Sequence, residues 1–554
     1  MYINSLPSEL IGTILRRAAY KEEPELYSWR RNLRLLHICK LWRVLALPTV
    51  YRILIFENTD EIAEEYVPSS CNNVITNPNY STLSYIAGNG LCKFVRNIHI
   101  RVILNQLTLE QVIALLAYMV TNNSIDKKRI NTLHISFNSD ELDSEDEQIA
   151  LRLTRLALSI CRNLPDIHRL SMQSIPGELG SVFLNCLARG YVGHLRDMSI
   201  IFEIQHPLPC FPKTLTSLFV NADYQLTTNI PRVFADTLQQ LVLVGVPHDF
   251  AWGCFLDNTS SKSVVFAQLW ELSLSYEFSL FTKSHIETIA STADTRKISI
   301  HFPKLRYIDI SNATECCYIL RNGILPEKLK KMRISCDSRA FARLNTNKLE
   351  FVSQIDLDLG FEHNLEHGDP KVISAVSSIF SKPMKISYGK LAIPAEAFRN
   401  CANTIKWTNL HCLSLHNITD SNLINVLFEN NSLPNLGKLS ISFSNFENIA
   451  LRVPGYSLAE LHEQSLGQSS ACLKPYTSML TCFSITTNPS VLADQRQMCL
   501  LWMQYVVLRL HNLAYLFFES LLTSELIPQL RGIKQLYPHL SNIRYNDSGL
   551  LEYI

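Results

Sequence analysis

Several things are scarce in this chain, and each scarcity excludes a class of function. Glycine occurs only 18 times in 554 residues, and no Gly-rich loop for cradling phosphate can be read anywhere. Charge of either sign is thin: charged residues make up 18%, against about 25% in ordinary globular chains. The 51 Lys+Arg and 50 Asp+Glu leave a net charge of +1, which removes the simplest ground for binding nucleic acid or an anionic membrane. The 15 cysteines include no CxxC pair, and only Cys316 and Cys317 are adjacent, so neither a zinc site nor a disulfide frame is written in them. HExxH and GxSxG motifs are missing, and no nucleophile, base and orienting group stand together. The expectation is a protein without covalent chemistry, metal or cofactor.

A clean membrane-length apolar run is also missing. The most apolar window, from Met498, is broken by Arg509, His511 and Asn512, and a charge at mid-bilayer costs about 2.5–3.5 kcal/mol. It reads as buried helix followed by strand, with no membrane partner. The opening MYINSLPSEL has neither a basic start nor an apolar stretch, so it does not read as a secretory leader. Scattered free thiols without a leader point to the cytoplasm or the nucleus, and DKKRI at Asp126–Ile130 is too short to choose the nucleus.

What is plentiful is apolar. Such residues make up 47%, enough for a large core and against disorder. Leucine fills about one position in seven. This length implies several domains or one elongated repeat array.

The first sixty residues read as a separate unit. Pro7 blocks helix upstream, and Leu10, Ile14 and Ala18 then recur at helical spacing. A second amphipathic run carries Leu36, Cys39, Arg43 and Ala46 on one stripe, with Ile38, Trp42 and Leu45 beside it. The charged, Pro-containing Lys21–Asn32 between them reads as a loop. Two such short helices bury little alone and need a partner or the rest of the chain. The entry Leu6-Pro7, with Glu9 and Leu10, the pair Ile14–Leu15, and then Cys39, Lys40, Trp42, Arg43, Ala46 and Tyr51, resembles the F-box motif over about the first 56 residues. The loop is longer than that compact motif needs. The resemblance implies docking on the small adaptor of an SCF-type cullin–RING ubiquitin ligase, and through it on a cullin. The contacts it implies are Leu6, Pro7, Leu10, Ile14, Leu15, Ile38, Trp42 and Leu45. If these side chains instead pack on the rest of the chain, that implication lapses.

The remaining chain repeats. A template with apolar residues at positions one, four and six starts at Val95, Ile130, Ile167, Leu195, Leu215, Leu238, Leu269, Leu305, Leu329, Val352, Leu410, Leu436, Leu480, Leu513 and Leu540. Prolines after Leu or Phe, such as Pro165, Pro303 and Pro434, stand two residues ahead of a start, where a residue without an N–H suits the entry to a strand. Positions three and five are mostly polar, as expected of one solvated strand face. Many starts lie about 20–27 residues apart, as in leucine-rich repeats. Leu410–Leu436 gives the clearest unit: a strand, Thr419 or Asp420 as helix cap, then Leu423, Val426 and Leu427 on one helix face. Its ITDSNL text is similar to the repeat type that follows many F-boxes. The Asn or Cys usual after the strand is mostly missing, and the interval from Val352 to Leu410 is too long for one repeat. Helices from Leu109, Glu147 and Pro370 would line one side of the array.

The fold expected is therefore α/β: a short all-α F-box-like unit at 1–57, a linker or insertion at 58–90, and an irregular leucine-rich-repeat solenoid, a horseshoe, at 91–554. Its polar strand face carries Arg169, Asp197, Glu271, Tyr307, Asp309, Lys331, Arg333, Asp356, Lys438, Tyr515 and Arg544, and mixed charge with aromatics suits a protein target better than a polyanion. His99 and His134 share position five of neighbouring repeats and face each other across a strand pair, which without a third ligand reads as two neutral surface imidazoles. The acidic run Asp140–Glu147 lacks the spacing of a calcium loop and reads as solvated loop or helix start. His363 and His367, in the long interval, give no catalytic grouping. The function expected is a substrate receptor for a ubiquitin ligase. The alternative is a non-catalytic leucine-rich-repeat scaffold with no ubiquitination role.

Overall fold

The computed structural model of the protein describes residues 7–19, 36–58, 74–76, 89–104, 106–121, 127–138, 147–174, 177–201, 212–221, 234–246, 264–276, 300–313, 323–324, 329–337, 352–360, 370–381, 388–395, 406–416, 433–443, 479–487, 512–519, 542–547 and 550–553, with residues 386, 398–399, 418, 423, 510, 531 and 540. The chain divides into two compact units, Met1–Leu269 and Trp270–Ile554, where the sequence reading treats 91–554 as one array.

The first unit opens with helices α1 (Ser8–Ala19) and α2 (Lys40–Val50). Strands β1 (Ile53–Asn58), β2 (Val74–Thr76), β3 (Asn97–Ile103), β4 (Thr132–Asn138), β5 (Arg169–Gln173), β6 (Asp197–Ile201), β7 (Ser217–Asn221) and β8 (Gln240–Val246) follow, then the short β9 (Val264–Val265). From β3 to β8 each strand pairs in parallel with the next in sequence. β1 pairs with β3 on one side and β2 on the other, again in parallel. Residues 53–57, assigned to the helical unit by the sequence, are thus sheet. Tyr51, Leu54 and Phe56 fit the repeat template, and all three are buried. Residues 74–76, within the expected linker, are sheet as well.

Helices α3 (Gln106–Thr121), α4 (Glu147–Asn163) and α5 (Gly177–Gly190) connect strands of this unit. Parallel neighbours need such crossovers. On α4, Ile149, Leu153, Leu156 and Ile160 are buried while Leu151 and Leu158 stay exposed. That is the one-sided stripe of a helix lying on a sheet. Phe183 of α5 meets Phe137 of β4 edge-on at 6.0 Å between ring centres.

The second unit repeats the plan. Strands β10 (Glu271–Tyr276), β12 (Tyr307–Ala313), β14 (Lys331–Asp337), β15 (Gln354–Gly360), β16 (Tyr388–Pro394), β17 (Cys412–His416), β18 (Lys438–Phe443), β19 (Cys482–Thr487), β20 (Tyr515–Glu519) and β21 (Asn542–Asp547) pair in parallel in chain order. β22 (Leu550–Tyr553) closes the ladder antiparallel to β21. The short β11 (Ile300–His301) and β13 (Gly323–Ile324) pair in parallel outside the main ladder, and α6 (Pro370–Ser381) precedes β16.

Every template start is followed two residues later by the first residue of a strand. Template residues one, four and six are the core: Leu305, Ile308 and Ile310, or Leu436, Leu439 and Ile441, are fully buried. One backbone device recurs. The carbonyl of template residue two accepts the amides of residues two and three of the next strand: Trp270 O takes Arg306 N and Tyr307 N at 2.8 and 3.0 Å, and Arg306 O takes Lys330 N and Lys331 N at 2.8 and 3.0 Å. A tight turn delivers the chain to each strand, as where Phe302 O accepts Leu305 N and Leu433 O accepts Leu436 N. Pro303 and Pro434 stand at the second position of these turns, where their fixed φ is pre-set.

The long interval from Val352 holds β16, which the template misses. Its fourth position is Gly389, not an apolar residue. A Cβ there would stand 2.7 Å from the Phe380 ring of α6, so that ring takes the room a side chain would fill. At β16 the register steps by two. Position-five Lys390 pairs with position-five Asp356 on one side and with position-three Cys412 on the other.

Candidate functional site

The opening helices pack on each other through Ile11, Leu15, Leu36, Ala46, Val50 and Tyr51, with Trp42, Leu45, Leu91 and Phe94 against that cluster. Local bonds set the second helix. Cys39 caps it by accepting Trp42 N on Sγ at 3.4 Å, and Arg43 Nε donates to Leu36 O at 3.1 Å. Pro7 O accepts Leu10 N and Ile11 N at 3.0 and 3.1 Å, starting the first helix as its position predicts.

Of the residues marked for an adaptor, Leu10, Ile14 and Ile38 are 52%, 39% and 55% exposed, and Pro7 is exposed too. Leu15 is buried, and Trp42 and Leu45 are half-buried against the inner cluster. They position the helices and do not form the outer face. Leu6 lies outside the described residues. The sequence reading omits Leu41 and Val44, exposed by 40% and 65%. Helical spacing from Ile38 finds both, since Leu41 and Val44 continue its stripe at steps of three.

Arg169 lies in the first unit, where its Nε meets Asp197 Oδ2 at 2.7 Å. Both line a recess of about 600 Å3 with Arg52, His168 and Arg196 at the entry ends of the strands. His99 and His134 are register partners with ring centres 5.1 Å apart. They are not a surface pair, because His99 is buried. Burial, then the charges of His134 and Arg101, brings His99 down to about 3. Burial and Arg101 bring His134 down to about 4. Among the described residues no three His, Cys, Asp or Glu side chains gather to hold a metal.

The other predicted target residues share the polar strand face of the second unit. One cross-strand row runs Glu271, Tyr307, Lys331, Gln354, Tyr388. The next runs Asp309, Arg333, Asp356, Lys390, Cys412, Lys438, Cys482, Tyr515. Opposite charges alternate along its first part: Arg333 Nη1 lies 3.7 Å from Asp309 and Lys390 Nζ lies 3.2 Å from Asp356. Tyr307 donates to Asp309 Oδ2 at 3.0 Å. Burial and then this carboxylate push its phenol up to about 12. Lys331 Nζ sits 5.3 Å from the centre of the Tyr307 ring. Tyr388 and Cys412 touch, hydroxyl to sulfur, at 2.8 Å, and Tyr388 stacks on His411 at 5.9 Å. The sequence reading omits Tyr388, Lys390 and Cys412 from this face, the first two because the template fails on β16. The backbone of Arg544 continues the array on β21.

Thr419, Asp420, His363, His367, Cys316 and Cys317 lie outside the described residues, as does the acidic run apart from Glu147, which begins α4. Among the described residues no helix is long and apolar enough to cross a membrane. Compared with known protein-family models and with curated proteins, the chain has no match.

Proposed function

We propose that the protein is a substrate-receptor subunit of an SCF-type cullin–RING ubiquitin ligase: α1 and α2 are an F-box that docks on the adaptor, and a leucine-rich-repeat solenoid behind them holds a protein target. The observation that carries this reading is the uncovered apolar set Leu10 and Ile14 on α1, Leu41 and Val44 on α2, and Ile38 just ahead of α2, on a helix pair whose inner faces are already packed. Two helices 12 and 11 residues long have no structural need for four exposed large apolar side chains, with a fifth, Ile38, just ahead of the second, whereas a partner that covers them gains their burial, about 25 cal/mol per Å2. Strands pairing in chain order, with one polar face, support the repeat reading. The protein itself supplies proximity, holding a target near a ubiquitin-loaded enzyme brought by other subunits.

Co-expression of the full chain with the adaptor tests this. Leu10→Glu combined with Ile38→Glu changes only exposed positions, so circular dichroism should be unchanged while adaptor co-purification is lost. Retained co-purification overturns the assignment.

A further inference from the structure

On the strand face of the second unit lies a recess of about 550 Å3, lined among others by Lys331, Lys390, Lys438, Asp356, Ser440 and Ser484. We propose that it binds one discrete anionic group, a phosphate or a carboxylate, carried on a protein target; this rests on the reading of the face as the target surface.

Three ammonium groups line the recess against a single carboxylate, and that carboxylate is matched by Lys390 at 3.2 Å. Lys331 lies over the Tyr307 ring, a contact that orients the ammonium without neutralising it. Lys438 is exposed and has no ion-pair partner among the described residues. Two positive charges therefore remain uncompensated in a concave site.

A hydroxyl stands beside these charges. Ser484 is 8% exposed and lines the recess, so its hydroxyl is a donor at the recess wall. An anion in the recess accepts it. Ser484 is the register partner of Ser440, beside the Lys438–Cys482 pair of the same strands, so hydroxyl and ammonium donors stand on adjacent cross-strand rows. Volume and donor set fit a side chain ending in a phosphate or carboxylate.

The surroundings choose the source. Asp309 and Asp356 interrupt the row that leads to the recess. A continuous polyanion laid across this face would meet both carboxylates, as nucleic acid must. An isolated acidic or phosphorylated residue with basic neighbours meets Lys331 and Lys438 with its anion and Asp309 and Asp356 with those neighbours.

The test uses the full-length protein, immobilised and probed with three synthetic peptide pools of one degenerate sequence whose central residue is serine, phosphoserine or glutamate. Inorganic phosphate and a single-stranded oligonucleotide are run alongside. The phosphoserine or glutamate pool should be retained about tenfold or more above the serine pool, the scale of one charge-assisted contact. Lys438→Glu should abolish that preference and Ser484→Ala weaken it, while Lys406→Glu, an exposed lysine outside the recess, leaves it intact. Equal retention of the three pools, or a preference indifferent to Lys438→Glu, overturns the proposal. So does Lys438-dependent binding of phosphate or oligonucleotide without peptide retention. Adaptor co-purification of the same variants reads the helix pair separately: if it persists where no peptide pool is preferred, the recess inference fails and the ligase reading stands.

Discussion

At Gly389 one missing methyl group shapes both a strand and the wall of the recess. A Cβ there would press on the Asn409 carbonyl oxygen and on the Phe380 ring, and neither backbone nor a fully buried ring yields cheaply. Gly389→Ala should therefore cost about 1–3 kcal/mol, read as a lower midpoint in thermal denaturation. It should also shift Tyr388 and Lys390, which flank it. The paired histidines of the first unit set a pH dependence. Held down to about 3 and about 4, His99 and His134 stay neutral in the folded protein, while the same imidazoles in the unfolded chain take up protons near pH 6.5. Folded pKa values below unfolded ones mean a contribution to stability that is complete above about pH 6.5 and is lost progressively as pH falls toward 4. Urea unfolding followed from neutral to mildly acidic pH should show the midpoint dropping through that window, and His99→Leu should flatten the drop.

Secondary-structure elements are where the sequence was most legible. Apolar positions one, four and six locate the strands because they are the residues the sheet buries, and that periodicity survives insertions of any length between repeats. It fails at β16, where Phe380 of α6 supplies the apolar group that Gly389 lacks, a tertiary substitution with no local trace. It fails differently at β1, where Tyr51, Leu54 and Phe56 obey the template but adjoin a helical motif that masks them. The polar strand face was legible residue by residue, since alternation alone puts positions three and five on it. The recess was not, because it depends on the two-residue step between β16 and β17. The outer face of α2 was half legible: Trp42 is large enough to suggest contact with a visitor, yet it turns inward to the cluster around Ala46. The two-faced character of α4 offers a direct check on packing. Leu153→Ala, at a fully buried position, should cost about 2–5 kcal/mol. Leu158→Ala, at a position 60% exposed, should stay within about 0.5 kcal/mol. Chemical denaturation of the two variants side by side measures the difference.

At the scale of the molecule, each described strand within either unit leans mainly on the strands before and after it, so cooperativity is handed from neighbour to neighbour. Long repeat-like arrays of this kind depart from all-or-none unfolding. Calorimetry of the full chain should give a measured unfolding enthalpy well above the van't Hoff value, and equality of the two would argue against unfolding in parts. The cross-strand rows have a consequence for any partner that lies along them. Neighbouring strands are spaced about 4.8 Å apart, while an extended peptide advances about 3.4 Å per residue. Two rulers with those divisions coincide only about once in every seven peptide residues and five strands. A partner stretched over Asp309, Arg333, Asp356, Lys390 and Lys438 can therefore fall into phase with the rows at only a few points. Selectivity in such a vernier comes from the interval between its anchors, and shifting an anchor by one residue should be as damaging as removing it.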